Sequence, residues 1–196
     1  ADGLHGSGDP RGELINLQAR GDRVMAEVCV QRNARTLLGP LANLQRDLLL
    51  DWELGFIRRA TLTLTGVPDT DVLREPRLTT LSRQLLTLES SLLLEELTFI
   101  VAPTARVLQG VPGAVWNVGL YAPRSLTRLA VLAKSAAVAP RRRGRYFGEP
   151  PPARFGWEQP DAARIVTQLP LKGRRVKVET DWTWVHDVMR DVFKAV

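Results

Sequence analysis

Residues 88–124 read LESSLLLEELTFIVAPTARVLQGVPGAVWNVGLYAPR, and the fold class turns on what their two apolar runs become. Leu97, Phe99 and Val101 alternate with Thr98 and Ile100. Val115, Asn117, Gly119 and Tyr121 alternate with Trp116, Val118 and Leu120. The turn Pro103-Thr104-Ala105 and a Gly- and Pro-containing loop at 110–113 separate the runs, and Ala122-Pro123 closes the second. Alternation bounded by Pro and Gly is the pattern of sandwich strands, because successive strand side chains point to opposite faces. It predicts strands over 92–102 and 114–122 and an all-β architecture, against the helical reading that the leucine-rich first half invites.

Further strands are expected on both sides of this stretch. Ala60, Leu62 and Leu64 alternate with Thr61, Thr63 and Thr65, and the run ends in Gly66-Val67-Pro68-Asp69, a turn in which Pro fixes φ. Segments 163–169 and 174–183 alternate in the same way, and 23–31 does so weakly. Helical spacing is expected after Gly39-Pro40 within 35–54, in TTLSRQLLTLES (79–90), and in the tail through Val185, Val188, Met189, Val192 and Phe193. Residues 125–134 fit a short helix or a strand. Pro150-Pro151-Pro152 makes 140–160 an extended surface loop, since Pro cannot continue a helix or a central strand. The polar, Gly-rich residues 1–12 read as a mobile arm, not a signal peptide. No repeat with a period of 20–50 residues stands out.

The chain has 196 residues, enough for one well-buried core, and a single cysteine, so no intrachain disulfide can form. No apolar run approaches the roughly 20 residues that span a bilayer, so no membrane contact is expected. The net charge of +6 is concentrated: residues 137–180 hold 10 basic and 4 acidic side chains, while residues 1–59 hold 8 of each. Such a cluster fits a polyanion partner, and it equally fits a solvated face kept soluble by charge.

Little in the chain points to catalysis, and no cofactor or metal is expected. Two histidines, His5 and His186, and one cysteine cannot complete a structural zinc site. No phosphate-binding glycine loop and no nucleophile-elbow motif is present. Cys29 reads as a buried strand cysteine. Glu95 and Glu96 are neighbours in a strand and so face opposite ways. Arg20-Gly21-Asp22 spells an adhesion tripeptide, which also arises by chance.

Taken in order, Thr61 to Gly66, Pro103-Thr104-Ala105, Val115 to Pro123, Arg145 to Gly148 and Val166 to Leu171 resemble the single jelly-roll coat proteins of tymoviruses and their relatives. The resemblance covers about 56–172. It implies a jelly-roll β-sandwich of about eight strands over 56–196, with an extended or helical N-terminal arm over 1–55 and short helices in loops. It further implies a non-enzymatic subunit of an icosahedral virion, assembled with many copies of itself in the host cytoplasm around an RNA genome. Phosphate contacts would then fall to Arg141, Arg142, Arg143, Arg145, Arg174, Arg175 and Lys177, with salt-sensitive, sequence-independent binding. The same run read as an intersubunit loop makes salt bridges instead. A separate reading is an RNA-binding module without a shell, such as a ribosome-associated protein. It would use the same arginines with Tyr146, Phe147 and Trp157 as stacking platforms. A jelly-roll enzyme or lectin would need a polar or metal cluster that the sequence does not show.

Overall fold

The structure is a computed structural model that describes residues 8–44, 47–64, 76–134 and 160–196. Among the described residues one six-stranded mixed sheet organises the fold. Its strands are β1 (Leu48–Glu53), β2 (Phe56–Leu64), β3 (Glu96–Val101), β4 (Arg128–Ala133), β5 (Ile165–Leu171) and β6 (Arg174–Thr180). They lie in the order β1-β2-β3-β4-β6-β5. The inner four, β2, β3, β4 and β6, run parallel, and β1 and β5 add antiparallel edges.

The helices are α1 (Pro10–Ala19), α2 (Arg23–Arg32), α3 (Ala34–Leu38), α4 (Arg77–Leu86), α5 (Ala105–Leu108), α6 (Val111–Tyr121) and α7 (Thr183–Ala195). Parallel neighbours need crossover connections, and α4 lies between β2 and β3 as α5 and α6 lie between β3 and β4. These crossovers step across the sheet in one direction. Right-handed connections of that kind deliver α4, α5 and α6 to the same face. Burial follows: Ala60, Leu62, Leu64, Leu97, Phe99, Val101, Leu129, Val131, Val176 and Val178 are all buried toward the helices.

This is a mixed α/β protein, not an all-β jelly roll of about eight strands. The decisive stretch splits. Residues 96–101 form β3 as expected, but 114–122 lies mostly in helix α6. In α6 both alternating sets are apolar apart from Asn117, so the period-two pattern does not separate a buried face from a wet one. The spacing that acts is Val111, Ala114, Val115, Val118 and Ala122, all buried. Pro112 sits in the first turn of that helix, where its missing N–H costs nothing. Segment 23–31 is likewise helix α2, not a strand, and starts where the Asp22 carboxylate accepts the Met25 N–H at 3.1 Å. Helical structure after Pro40 stops at Leu44, and 48–53 is strand β1. The strands expected at 60–66, 163–169 and 174–183 correspond to β2, β5 and β6, and the helices expected at 79–90 and in the tail correspond to α4 and α7. The coat role was drawn through the jelly roll, and nothing in the α/β fold supports it.

The N-terminal helices share the core. Leu14, Cys29, Leu37, Leu38 and Leu41 are buried in the same cluster as Leu48 and Phe99. Gln18 ties α1 to the first hairpin, donating to Trp52 O and accepting from Gly55 N–H, both at 2.8 Å. The leucines of residues 37–54 are therefore largely used inside the chain, although Leu49 and Leu54 stay exposed.

Helix α6 is the middle of the helical layer and carries a glycine on each flank. A Cβ on Gly113 would come within 2.5 Å of Thr79 Oγ1 on α4, and one on Gly119 within 3.0 Å of Val192 on α7. Asn117 locks the α4 side by donating to Thr79 O at 2.8 Å and Ser82 Oγ at 3.0 Å. Both hairpins turn through two residues of positive φ, Leu54-Gly55 (48° and 78°) and Lys172-Gly173 (49° and 75°), the geometry that matches strand twist.

Two outcomes follow for stability, both read by urea denaturation. Gly113→Val forces α4 and α6 apart and lowers stability by about 1–3 kcal/mol. Leu54→Asn replaces an exposed leucine in the left-handed region by a residue that tolerates it, and raises stability by about 0.5–1 kcal/mol.

Candidate functional site: the open sheet face

The face of the sheet away from the helices is built by the odd-numbered residues of β1 and β6 and their register partners. One cross-strand row reads Asp51, Arg59, Glu96, Arg128, Lys177, Gln168. The next reads Leu49, Thr61, Thr98, Ala130, Glu179, Val166, and above it lie Thr63, Ile100 and Leu132. Most of these side chains are exposed or half-exposed. Ala130 and Glu179 are exceptions, shielded by the neighbours beside them.

The charges alternate in sign from Asp51 to Arg128, beside which Lys177 repeats the positive sign, and most of them pair in a ladder along the face. Arg59 Nε meets Asp51 Oδ2 at 2.8 Å. Arg128 lies between Glu96 Oε2 at 3.1 Å and Glu179 Oε2 at 2.8 Å. Arg164 then bridges Glu179 Oε1 at 3.0 Å and Asp181 Oδ1 at 2.8 Å. Asp181 also accepts the Ala133 N–H at 2.7 Å, which fixes the end of β4. The links differ in weight. Asp51 and Arg59 are both more than half exposed and contribute little, as solvated pairs do. Glu179 has only 10% of its side chain exposed, and two guanidinium groups share it. Its hydrogen bond from Arg128 holds its carboxyl below the usual range, helped by Arg164 and opposed by burial. Glu179 is the pivot of the ladder.

The residues expected to face phosphate separate. Arg141, Arg142, Arg143 and Arg145 lie outside the described residues, as do Tyr146, Phe147 and Trp157. Arg175 and Lys177 are exposed on the open face. Arg174 points the other way, toward the end of α6, where its Nη2 donates to Pro123 O at 2.5 Å. Glu95 and Glu96 serve different arginines: Glu95 pairs with Arg58 at 2.8 Å, and Glu96 with Arg128. Asp22 of the adhesion-like tripeptide caps α2. Cys29 lies in α2, buried, and burial pushes its thiol up, away from a nucleophile's thiolate. Among the described residues no group of His, Cys, Asp and Glu is placed to hold a metal ion. A groove of about 880 Å³ between α1, α2 and β1 is walled by leucines and by Gln18, Arg23, Glu27, Gln31, Asp51 and Glu53.

The ladder left a trace in the sequence. Aligned by register, the parallel strands open Arg59-Ala60-Thr61-Leu62, Glu96-Leu97-Thr98-Phe99, Arg128-Leu129-Ala130-Val131 and Lys177-Val178-Glu179-Thr180. Each has a charge and then an apolar residue, and the first three continue with a small residue and a second apolar one. The spacings are unequal, 37 (59 to 96), 32 (96 to 128) and 49 (128 to 177) residues, so no fixed period reveals them.

Glu179→Gln lowers stability at neutral pH by about 1–2 kcal/mol, because two partly shielded arginines lose their shared charge. The sign with pH follows from the depressed carboxyl. Its contribution is present above the unfolded value of 4.5 and is lost as pH falls below it through the folded value. Denaturation of wild type and variant across pH 7 to 3 therefore gives curves that converge in acid, and a constant gap would remove Glu179 from the ladder. Compared with protein-family models, with curated proteins and with solved structures, the chain matches none.

Proposed function

We propose that this chain is a non-catalytic binding module that takes a protein ligand on the open face of its sheet. The observation that carries the reading is the one-sided burial of the sheet: helices cover one face, and the other presents aligned rows of side chains fixed by the strands beneath. Sites on rigid strands hold their geometry better than sites on loops.

Charge decides the class of partner. On the face, Arg59, Arg128 and Arg164 are each engaged by carboxylates, and only Arg175 and Lys177 have no ion-pair partner among the described residues. A phosphate polymer laid there would meet Asp51, Glu96, Glu179 and Asp181. A protein surface of alternating charge meets complementary groups instead, and gains registry from them more than affinity. Leu49 and Val166, both exposed at the two ends of the middle row, add apolar contact at its rims.

Size sets the strength. Six strands about 4.8 Å apart and some six residues long at about 3.3 Å give a face on the order of 500 Å². A standard interface buries about 800 Å² per partner. The ligand therefore binds weakly and reversibly unless it also engages the flanking loops.

Thr98→Arg tests the face at its centre, where the change is tolerated as a surface substitution within about 0.5 kcal/mol. Trp116→Ala, exposed on α6 in the helical layer, serves as the counterpart. Crosslinked partners from source-cell extract should be retained by Trp116→Ala and lost by Thr98→Arg. The opposite pattern would place the binding surface on the helices. Partners lost on nuclease treatment would show a nucleic-acid ligand instead.

A further inference from the structure

The β5–β6 hairpin carries a second cluster, on the helix side of the sheet and away from the charge ladder. Lys172 in its turn donates from Nζ to Leu120 O at 2.7 Å, and Arg174 donates from Nη2 to Pro123 O at 2.5 Å. Both thus reach the C-terminal end of α6, where the free carbonyls and the helix dipole favour cations. Arg124 follows directly on that end and lies close enough to repel Arg174.

What sets the cluster apart is its lack of anions among the described residues. The other partly buried arginines have carboxylates: Arg58 has Glu53 and Glu95, Arg128 has Glu96 and Glu179, and Arg11 has Asp9 and Glu89. Arg174 has none. Two of its three nitrogens, Nε and Nη1, are enclosed without any hydrogen-bond partner. Its charged neighbours are Lys172 and Arg124, and burial together with this repulsion lowers the affinity of both Arg174 and Lys172 for their protons. Three cations gathered around unpaired donors is an arrangement that stability does not favour, since each enclosed donor costs the hydration it has given up.

We propose that Arg124, Lys172 and Arg174 form a binding site for a phosphate-type oxyanion. Lys172 and Arg124 are exposed and meet the ligand from solvent. Arg174 stands behind them and adds its charge through a shielded medium, where it acts more strongly than in water. The oxyanion relieves the mutual repulsion of all three. The site is independent of the open face, because Arg174 lies on the other side of the strand from Arg175 and Lys177. The ligand is free phosphate or the phosphodiester of a nucleic acid, which share this chemistry.

Isothermal titration of the intact chain with sodium phosphate, against sodium chloride at equal ionic strength, tests the site. Wild type should bind phosphate. Arg174→Met, which keeps the stem and removes the charge, should weaken it about tenfold, the usual loss for a charge-assisted hydrogen bond. Lys172→Asn, suited to the positive φ of that turn, and Arg124→Gln should each weaken it several-fold. These two exposed positions decide the matter if Arg174→Met does not fold. Arg35→Gln, exposed on α3, should change nothing. An eight-nucleotide single-stranded RNA that displaces phosphate, and loses affinity in the same three variants, assigns the phosphodiester. RNA that leaves bound phosphate in place assigns the free anion. Equal response to phosphate and chloride, or phosphate affinity unchanged in Lys172→Asn and Arg124→Gln, overturns the proposal.

Discussion

One-sided burial of the sheet is the constraint on which the rest of the molecule depends. Parallel strands laid down in chain order send the helices that join β2 to β3 and β3 to β4 to a single face. Everything apolar must then be gathered there, which is why Leu62, Phe99, Val131 and Val178 share a layer with Leu85, Val115 and Met189. The other face has no helical layer among the described residues and must be satisfied by its own side chains and by water. Alternating charges do this: like charges on adjacent strands would repel, whereas the order Asp51, Arg59, Glu96, Arg128 places opposite signs side by side.

The same constraint explains the ends of the sheet. A parallel array leaves edges that would pair with another chain. Here each end folds back as an antiparallel hairpin, β1 on β2 and β5 on β6, through a two-residue turn. The N-terminal helices then pack beside the first hairpin, with Gln18 holding Trp52 and Gly55. Pro170 lies in the outer strand β5, where the missing N–H is tolerated. The hairpin that closes the second end also carries Lys172 and Arg174 to the end of α6, so the basic cluster is a consequence of how that edge is finished.

The strands with a true one-sided environment were legible in the sequence. RRATLTL alternates because β2 has a core face and a wet face, and β5 and β6 read correctly for the same reason. The open face was not legible as a site. Its members come from six strands and two segment ends, spaced unequally, and only register brings Glu96 between Arg59 and Arg128. The arginine run that drew attention to phosphate binding lies outside the described residues, while Arg174, named for its charge alone, proved to face the helices.

By itself the sequence determined which strands alternate, where the tail helix carries its apolar stripe, and that charge gathers in the second half. It did not decide whether VWNVGLY is a strand or a helix. A run apolar at nearly every position satisfies a period of two and a period of 3.6 alike. Only the packing of α6 between α4 and α7, with Gly113 and Gly119 at the contacts and Asn117 bonded to Thr79, selects the helix. Tertiary structure likewise decided that the chain closes one sheet under helices and not two sheets on each other. Strand pattern records that a strand has a buried face, but not whether a helix or another sheet buries it.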